Sequence, residues 1–231
     1  MKYDVVVIGA GASGMMAAIQ AAKKGSGEGK GGCIRVVLLE VLARPGKKIL
    51  ATGNGKCNLT NYKLDDSRYH TDSGSVADIM GVISHFDSEA VTCFFRDEGM
   101  LVRDRDGYVY PYSEQAASVL DCLRQCLVKY GVELICGCEI NSVKKEDFIV
   151  SGNIRDIEAE NRRAEAKKNG GKKDGKKAGG DRNDKAKKVA CDKERDVAQP
   201  VRLSCTAGRL IVATGSAAGG VCDQGTGTAG K

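Results

Sequence analysis

The sequence lacks tryptophan and contains only four phenylalanines, three prolines and two histidines. With so few large rings, the hydrophobic core must be built mainly from aliphatic side chains. The two histidines, His70 and His85, lie in no pattern typical of a catalytic site, so we expect both at the surface. Cys136 and Cys138 are too closely spaced for a usual zinc-binding pair and no second pair accompanies them, so no metal site is expected.

A convincing secretory signal is also missing. An uncharged run over 5–22 has the length of a short membrane span, but Asp4 precedes it, and Gly9 and Gly11 interrupt it. A strand, a tight turn and a helix explain this run better than a signal peptide. We therefore predict a cytoplasmic protein that does not bind membranes and keeps its ten cysteines reduced.

Positive charge is concentrated in one segment. The formal net charge is +6, and residues 155–196 hold 15 basic and 10 acidic side chains. The stretch 154–199 has almost no large apolar residue, so it cannot bury enough surface to offset its ordering entropy, and we predict a disordered Lys-rich insertion. It contains no aromatic residue that would stack on bases, so no specific nucleic acid partner is expected.

The hydrophobic pattern predicts an α/β fold. Two apolar, β-branched runs at 3–8 and 34–41 are predicted to be strands buried on both faces, with a helix over 13–24 between them. A glycine-rich loop at 25–32 separates the helix from the second strand. Such a βαβ unit has parallel strands and a right-handed crossover.

Further elements follow along the chain. The pattern predicts two helical pieces within 76–95, a hairpin over 101–110 that turns at Asp106 and Gly107, and a helix over 114–130 with Ser113 as its N-cap. Short strands are predicted at 132–136, 139–143, 147–150, 201–205 and 209–213. We therefore expect a Rossmann-like domain with a parallel sheet and a β-meander. Its first part occupies 1–153, the insertion occupies 154–199, and the return strands occupy 200–231.

The strongest motif consists of three glycines between the first strand and its helix. Gly9 permits the tight turn, Gly11 lets the backbone approach a pyrophosphate, and Gly14 allows close packing of helix and strand. Glu40, at the end of the second strand, can accept hydrogen bonds from the ribose hydroxyls of an adenosine. Its distance of 26 residues from Gly14 exceeds the usual spacing of about 20, and the loop at 25–32 contains the additional residues.

A second motif occupies 44–61, where glycines free backbone N–H groups and Lys47, Lys48 and Lys56 add positive charge. Such a loop can hold a phosphate or the edge of a flavin. A solvated surface loop accounts for the same residues equally well.

The sequence resembles the bacterial BaiN-like flavoproteins, also called aminoacetone oxidase-like FAD-binding enzymes. Three segments carry the resemblance: KKILATGNGKCNLTN at 47–61, GYVYPYSEQAASVLDCL at 107–123 and RLIVATG at 209–215. The match is collinear from Tyr3 to Gly215 apart from two insertions. Members of this family are about 400 residues long, and the resemblance implies that this chain is their N-terminal portion, with a substrate-side domain and a last glycine-rich segment absent.

The resemblance implies an FAD-dependent oxidoreductase acting on a small-molecule substrate, with NAD(P)H or oxygen as the second redox partner. No protein catalytic residue is assigned, because the flavin itself accepts the hydride. The implied cofactor contacts are Gly9, Gly11, Ala12, Ser13 and Gly14 at the pyrophosphate, Glu40 at the ribose, Lys48, Thr52, Gly53, Asn54 and Cys57 along the flavin, Ile140 and Glu139 near the adenine, and Ala213, Thr214 and Gly215 over the cofactor.

Two other functions stay open. An NAD(P)-binding dehydrogenase without flavin would use the same glycine turn. A catalytically silent nucleotide-binding or interaction protein would retain the Rossmann unit without turnover. Because the implied isoalloxazine half of the site lacks its lid, we expect weak flavin binding and little turnover by this chain alone.

Overall fold

The computed structural model describes residues 1–25, 34–72, 74–157, 159, 162 and 201–215. Its strands are β1 (Lys2–Ile8), β2 (Val36–Leu39), β3 (Thr60–Asn61), β4 (Val102–Arg105), β5 (Tyr108–Pro111), β6 (Glu133–Ile135), β7 (Cys138–Lys144), β8 (Ile149–Ile154) and β9 (Val201–Val212). Its α-helices are α1 (Ala12–Gly25), α2 (Val76–Ile83), α3 (Ser88–Asp97) and α4 (Ala116–Lys129). Gly25, the first residue of the loop predicted at 25–32, is the last residue of α1. The rest of that loop and most of the insertion predicted over 154–199 lie outside the described residues.

The larger sheet has the strand order β6-β2-β1-β9-β8-β7. Strands β6, β2, β1 and β9 are parallel, whereas β7, β8 and β9 form an antiparallel meander. In the centre, Val7 of β1 pairs with Leu38 of β2 on one side and with Ile211 of β9 on the other. The predicted α/β class, its parallel sheet and its meander are confirmed.

Side-chain alternation along β1 divides the core into two layers. Val5 and Val7 pack with α1 and α4 on one face of the sheet. Val6 points to the opposite face, where it packs with Leu203 and Cys205 of the meander strand β9. Because successive strand residues face opposite sides, burial on both faces explains why the run over 3–8 shows no polar alternation.

Glu98 joins the three helices on the first face. Its carboxylate side chain is only 4% exposed and binds Lys23 of α1 at 3.2 Å and Lys129 of α4 at 2.7 Å. The Tyr130 hydroxyl donates a third hydrogen bond at 2.5 Å. Burial disfavours the charged form of Glu98, but the hydrogen bonds from Lys129, Tyr130 and Lys23 outweigh burial and lower its pKa to about 2.

The smaller sheet has the order β3-β5-β4 and confirms the predicted hairpin. Asp106 and Gly107, at its turn, have φ angles of 54° and 92°. Both angles are positive, as a two-residue type I′ turn requires, and an Asp-Gly pair adopts them readily. The buried face of this sheet presents Val109 and Pro111 to the core.

Two sequence predictions need correction. The helix predicted over 114–130 begins at Ala116, because Glu114 has a φ of 53°, and Gln115 rather than Ser113 is the N-cap. The two strands predicted at 201–205 and 209–213 form the single strand β9. Gly208 does not break β9, because the strand changes partner from β8 to β1 without leaving the sheet.

We expect Glu98→Gln to lower the free energy of unfolding at pH 7 by about 2 kcal/mol, because a buried acceptor of charged hydrogen bonds is lost. The folded-state pKa is depressed, so this contribution is present above the ordinary value of about 4.3 and disappears as the pH falls toward about 2. Urea unfolding at several pH values measures it. Glu89→Gln, at an exposed residue of α3, is the control and should change stability little; a pH-independent difference for Glu98→Gln would contradict the assignment.

Gly14→Ala should destabilise the fold by roughly 3 kcal/mol or more, because a Cβ atom there would overlap the Gly9 carbonyl oxygen. Gly11→Ala is the matched control, since a Cβ atom at Gly11 meets no atom within 4 Å. Thermal unfolding followed by circular dichroism compares the two. Equal midpoints for both variants would show that α1 does not depend on this contact.

Candidate functional site

A cleft of about 980 Å³ opens at the carboxyl edge of the parallel strands. Strands β1, β2 and β9 end there, and the residues that follow each strand form its walls. Ligands of open α/β sheets bind outside the carboxyl ends of the strands, so this is the position expected for a nucleotide.

The glycine turn after β1 borders the cleft. Gly9 has a φ of 101° and donates its N–H to the Leu39 carbonyl at 2.7 Å. A Cβ atom at Gly9 would approach the Ala213 carbonyl oxygen to 2.5 Å, whereas one at Gly11 would meet nothing within 4 Å. The turn is therefore closed toward the protein at Gly9 and open toward the cleft at Gly11, where a pyrophosphate has room.

Positive charge converges on this open space. Ala12 and Ser13 begin α1 and line the cleft. The first N–H groups of a helix have no acceptor within it, and the helix dipole adds partial positive charge there. Lys47 and Lys48, both exposed, line the same cleft. These groups together suit a phosphate-bearing ligand.

Glu40 joins the glycine turn to the loop after β2. Its side chain accepts hydrogen bonds from the N–H of Ala10 at 2.7 Å and from the N–H of Leu42 at 2.8 Å. The residue is only 8% exposed, yet it lines the cleft. Each carboxylate oxygen keeps a free lone pair, so Glu40 can still accept a ribose hydroxyl.

The meander closes the cleft on the side of Glu40. The N–H of Cys138 in β7 donates to the Glu40 carbonyl at 2.8 Å, and Glu139 and Ile140 line the cleft beyond it. Arg155, just after β8, donates to the Val41 carbonyl at 2.6 Å. The loop after Glu40 is therefore held from the side of the meander.

The segment predicted to run along the flavin forms a kinked 3-10 helix over Ile49–Gly55. Its turn is held by hydrogen bonds from the Thr52 hydroxyl to the Ile49 carbonyl at 2.7 Å and from the Cys57 N–H to the Thr52 carbonyl at 3.1 Å. Thr52 and Cys57 line the cleft. The turn residues Gly53 and Asn54, both with φ of 53°, face a separate depression instead.

Cys57 is a buried thiol with a left-handed backbone, at a φ of 57°. Burial raises its pKa, and a hydrogen bond with Thr52 opposes that shift only in part. A raised pKa keeps the thiol neutral and weakly nucleophilic. The geometry therefore favours a packing and positioning role for Cys57 over covalent chemistry.

Most of the predicted cofactor contacts line this one cleft: Gly9, Gly11, Ala12, Ser13, Glu40, Lys48, Thr52, Cys57, Ile140, Ala213, Thr214 and Gly215. Gly14 is not among the residues that line the cleft. It packs against the Gly9 carbonyl oxygen on the protein side of the turn, as its predicted role in helix packing requires.

Sequence reasoning missed an apolar wall of the cleft. Phe86 and two residues of α3, Val91 and Phe95, line it together with Val119 and Leu123 of α4. Val91 and Phe95 are four residues apart and therefore share one helix face. That spacing was visible in the sequence, but the same pattern is typical of any core-facing helix, so it carried no functional signal.

Other features of the described residues bear on the class of site. No group of three or more His, Cys, Asp or Glu side chains within them is arranged to hold a metal ion. None of the helices in this part of the chain is long and apolar enough to cross a membrane. Both His70 and His85 are exposed, as predicted.

Curated relatives match only part of the chain. A 3-dehydro-bile acid delta(4,6)-reductase of Clostridium scindens is 41% identical over 138 residues, covering 60% of this chain and 32% of that protein. A ribosomal RNA dihydrouridine synthase of Escherichia coli is 37% identical over 68 residues, covering 29% and 15%. The chain thus spans about a third or less of the length of these relatives.

A solved structure, that of Thermovibrio ammonificans THI4, aligns with a TM-score of 0.44 at 17% identity, covering 69% of this chain and 51% of that one. This likeness is too low to bear on function. A family model described as the HI0933-like protein Rossmann domain matches residues 3–168, which is more than half of the chain. The resemblance to BaiN-like flavoproteins is therefore confirmed, and the chain belongs to the HI0933-like Rossmann-domain family.

Proposed function

We propose that this chain is the FAD-binding portion of an oxidoreductase that reduces a carbon–carbon double bond conjugated to a carbonyl group. The observation that carries the proposal is the open space at Gly11 between the positive end of α1 and the buried carboxylate of Glu40. A dinucleotide needs an anion site and a ribose acceptor side by side at the ends of neighbouring parallel strands.

The residues present fit FAD along the whole cleft. Gly11, Ala12 and Ser13 would hold the pyrophosphate with help from Lys48, and Glu40 would accept the ribose hydroxyls. The cleft continues past the pyrophosphate position to Thr52. When bound, FAD supplies hydride transfer, which no side chain of the described residues can perform.

The apolar wall supports a flavin over a solvated ligand. Val91 and Phe95 of α3 line the same cleft as Thr52 and Cys57. Such side chains exclude water from a planar apolar ring system and strengthen the electrostatic interactions around it. An NAD(P)-binding dehydrogenase without flavin would share the glycine turn, but it would not need the segment Ile49–Gly55 as a contact for a flavin.

The names of the relatives indicate the kind of bond that is reduced. One relative is named a 3-dehydro-bile acid delta(4,6)-reductase and the other a ribosomal RNA dihydrouridine synthase, and both names denote reduction of a double bond. We propose that the bond reduced by this protein is conjugated to a carbonyl group. Such a bond is polarised and accepts hydride at its far carbon. We therefore propose a substrate with an activated double bond. We further propose that it is a small molecule, as the name of the first relative suggests, that NAD(P)H is the electron donor and that the protein is cytoplasmic.

FAD binding tests the first step. Because weak binding is expected, the purified chain is titrated into FAD without desalting, and the visible absorption bands of the flavin should shift. Gly11→Val should abolish this shift with little change in the thermal unfolding midpoint, because a Cβ atom there would enter the proposed pyrophosphate space and meet no protein atom within 4 Å. Gly81→Val, whose Cβ atom also meets no atom within 4 Å but lies on α2, is the control and should shift the flavin bands like the wild-type chain. A folded wild-type chain that does not shift the flavin bands at any concentration would contradict the proposal.

Glu40→Gln should weaken FAD binding at least tenfold, because one oxygen that accepts from the protein and from the ribose becomes an amide donor. It should also lower the free energy of unfolding by about 1–3 kcal/mol, since the N–H of Ala10 or Leu42 loses its acceptor. Equilibrium dialysis with FAD and urea unfolding measure the two effects. Unchanged FAD affinity in this variant would remove Glu40 from the site.

A further inference from the structure

The outer face of the hairpin β4–β5 carries arginines and tyrosines. Arg103 pairs with Tyr110 across the two strands, and Arg105 pairs with Tyr108. Directly opposite residues of an antiparallel pair share a face, so these four side chains lie together. The opposite face is the buried one, because Val109 is fully buried against the core. The arginines and tyrosines therefore point away from the core.

Positive charge on this face exceeds what its single carboxylate can balance. Glu114 binds Lys56 at 3.2 Å, Arg103 at 3.1 Å and also Arg105. The side chains of the three cations are 37% to 50% exposed, and that of Glu114 is 24% exposed. Three cations around one anion leave an excess of two positive charges, and most of their N–H donors remain available to a second anion.

The other acidic residues of the hairpin do not reduce this excess. Asp104 lies on the opposite side of β4 and accepts the Gly107 N–H at 2.6 Å. Asp106, at the turn, pairs with Lys63. The excess charge therefore stays at Lys56, Arg103 and Arg105.

Flat aromatic surface lies beside the cations. The guanidinium of Arg103 lies over the ring of Tyr112, at 4.6 Å from its centroid. Tyr108 and Tyr112 are 48% and 57% exposed, so part of each ring is accessible to a ligand. Tyr110 lines a depression of about 480 Å³ with Lys56, Gly53 and Asn54.

This depression lies on the reverse side of the turn that borders the flavin end of the cleft. Gly53, Asn54 and Lys56 face the depression, while Thr52 and Cys57 face the cleft. Only the short segment from Thr52 to Cys57 therefore separates a ligand on the hairpin face from the proposed flavin site.

We propose that the hairpin face is a binding site for a nucleoside phosphate. Lys56, Arg103 and Arg105 would bind the phosphate through charge-assisted hydrogen bonds, and an exposed tyrosine, Tyr112 or Tyr108, would stack on the base. The occupant that fits a position beside the flavin end is the adenosine phosphate part of a nicotinamide dinucleotide. The site itself stands on the geometry of the hairpin, and the identification of its occupant as the electron donor depends on the proposed function.

ADP binding to the Gly11→Val chain, measured by equilibrium dialysis, isolates this site because the cleft is obstructed there. We expect ADP to bind more tightly than adenosine or inorganic phosphate. Adding Arg105→Gln or Arg103→Gln should weaken ADP binding roughly tenfold, the effect of one charge-assisted hydrogen bond to phosphate. Adding Tyr112→Leu should weaken ADP binding roughly fivefold and leave the affinity for inorganic phosphate unchanged.

Lys63→Gln is the matched control, because it removes one positive charge that is paired with Asp106 outside the cluster. Its ADP affinity should equal that of the parent chain. Absence of ADP binding to a folded chain, or equal losses in Lys63→Gln and Arg105→Gln, would overturn the proposal. Tighter and steeply salt-dependent binding of a short oligouridylate would overturn it in favour of nucleic acid. FAD binding is measured separately, on the wild-type chain. Loss of FAD binding would therefore contradict the proposed function, whereas loss of ADP binding to Gly11→Val would contradict the hairpin site.

Discussion

Helix α1 can begin where it does only because Gly14 packs directly against the backbone of the turn at Gly9. Gly9 in turn lies against Ala213, at the end of the neighbouring strand β9. Because these are backbone contacts at glycines, the ends of β1 and β9 and the start of α1 can lie next to one another. The proposed anion site at the start of α1 and the cleft beside it depend on this close approach, because any Cβ atom at Gly14 would displace the helix. Glu40 then adds the third strand end through the N–H of Ala10.

Much of this arrangement was predictable because its signals are local. Strand burial, the glycine turn and the Asp106–Gly107 hairpin each depend on a few adjacent residues whose conformational preferences are strong. The N-terminus of α4 was not predictable, since Glu114 adopts a left-handed backbone that an ordinary helix pattern does not announce. The continuity of β9 escaped prediction for a different reason: a glycine within a strand looks like a break unless the two pairing partners are known.

Predictability differs in the same way among the residues that line the cleft. Those that belong to motifs were found from the sequence. Val91 and Phe95 were not, because their spacing on α3 is the same as that of core residues. Gly53 and Asn54 illustrate a further limit. The resemblance implies that they contact the flavin, and that contact stays a prediction; in the structure they line a depression separate from the cleft that Thr52 and Cys57 line. Which side of a tight turn a residue faces depends on the three-dimensional path of the chain, which a motif does not specify. One short segment thereby connects the cofactor cleft to the charged face of the hairpin.

Pairing of Ile154 with Val201 brings together the two ends of the segment between them. This pairing fixes the distance between the two ends. The entropic cost of closing the loop grows only slowly with the number of residues between them. A folded reporter domain whose own termini lie close together could replace residues 163–200 at this junction. Arg155, near the start of this segment, donates a hydrogen bond to the carbonyl of Val41, next to Glu40, so the junction is connected to the proposed ribose acceptor. The junction is thus a natural point at which to convert cofactor occupancy into an optical signal.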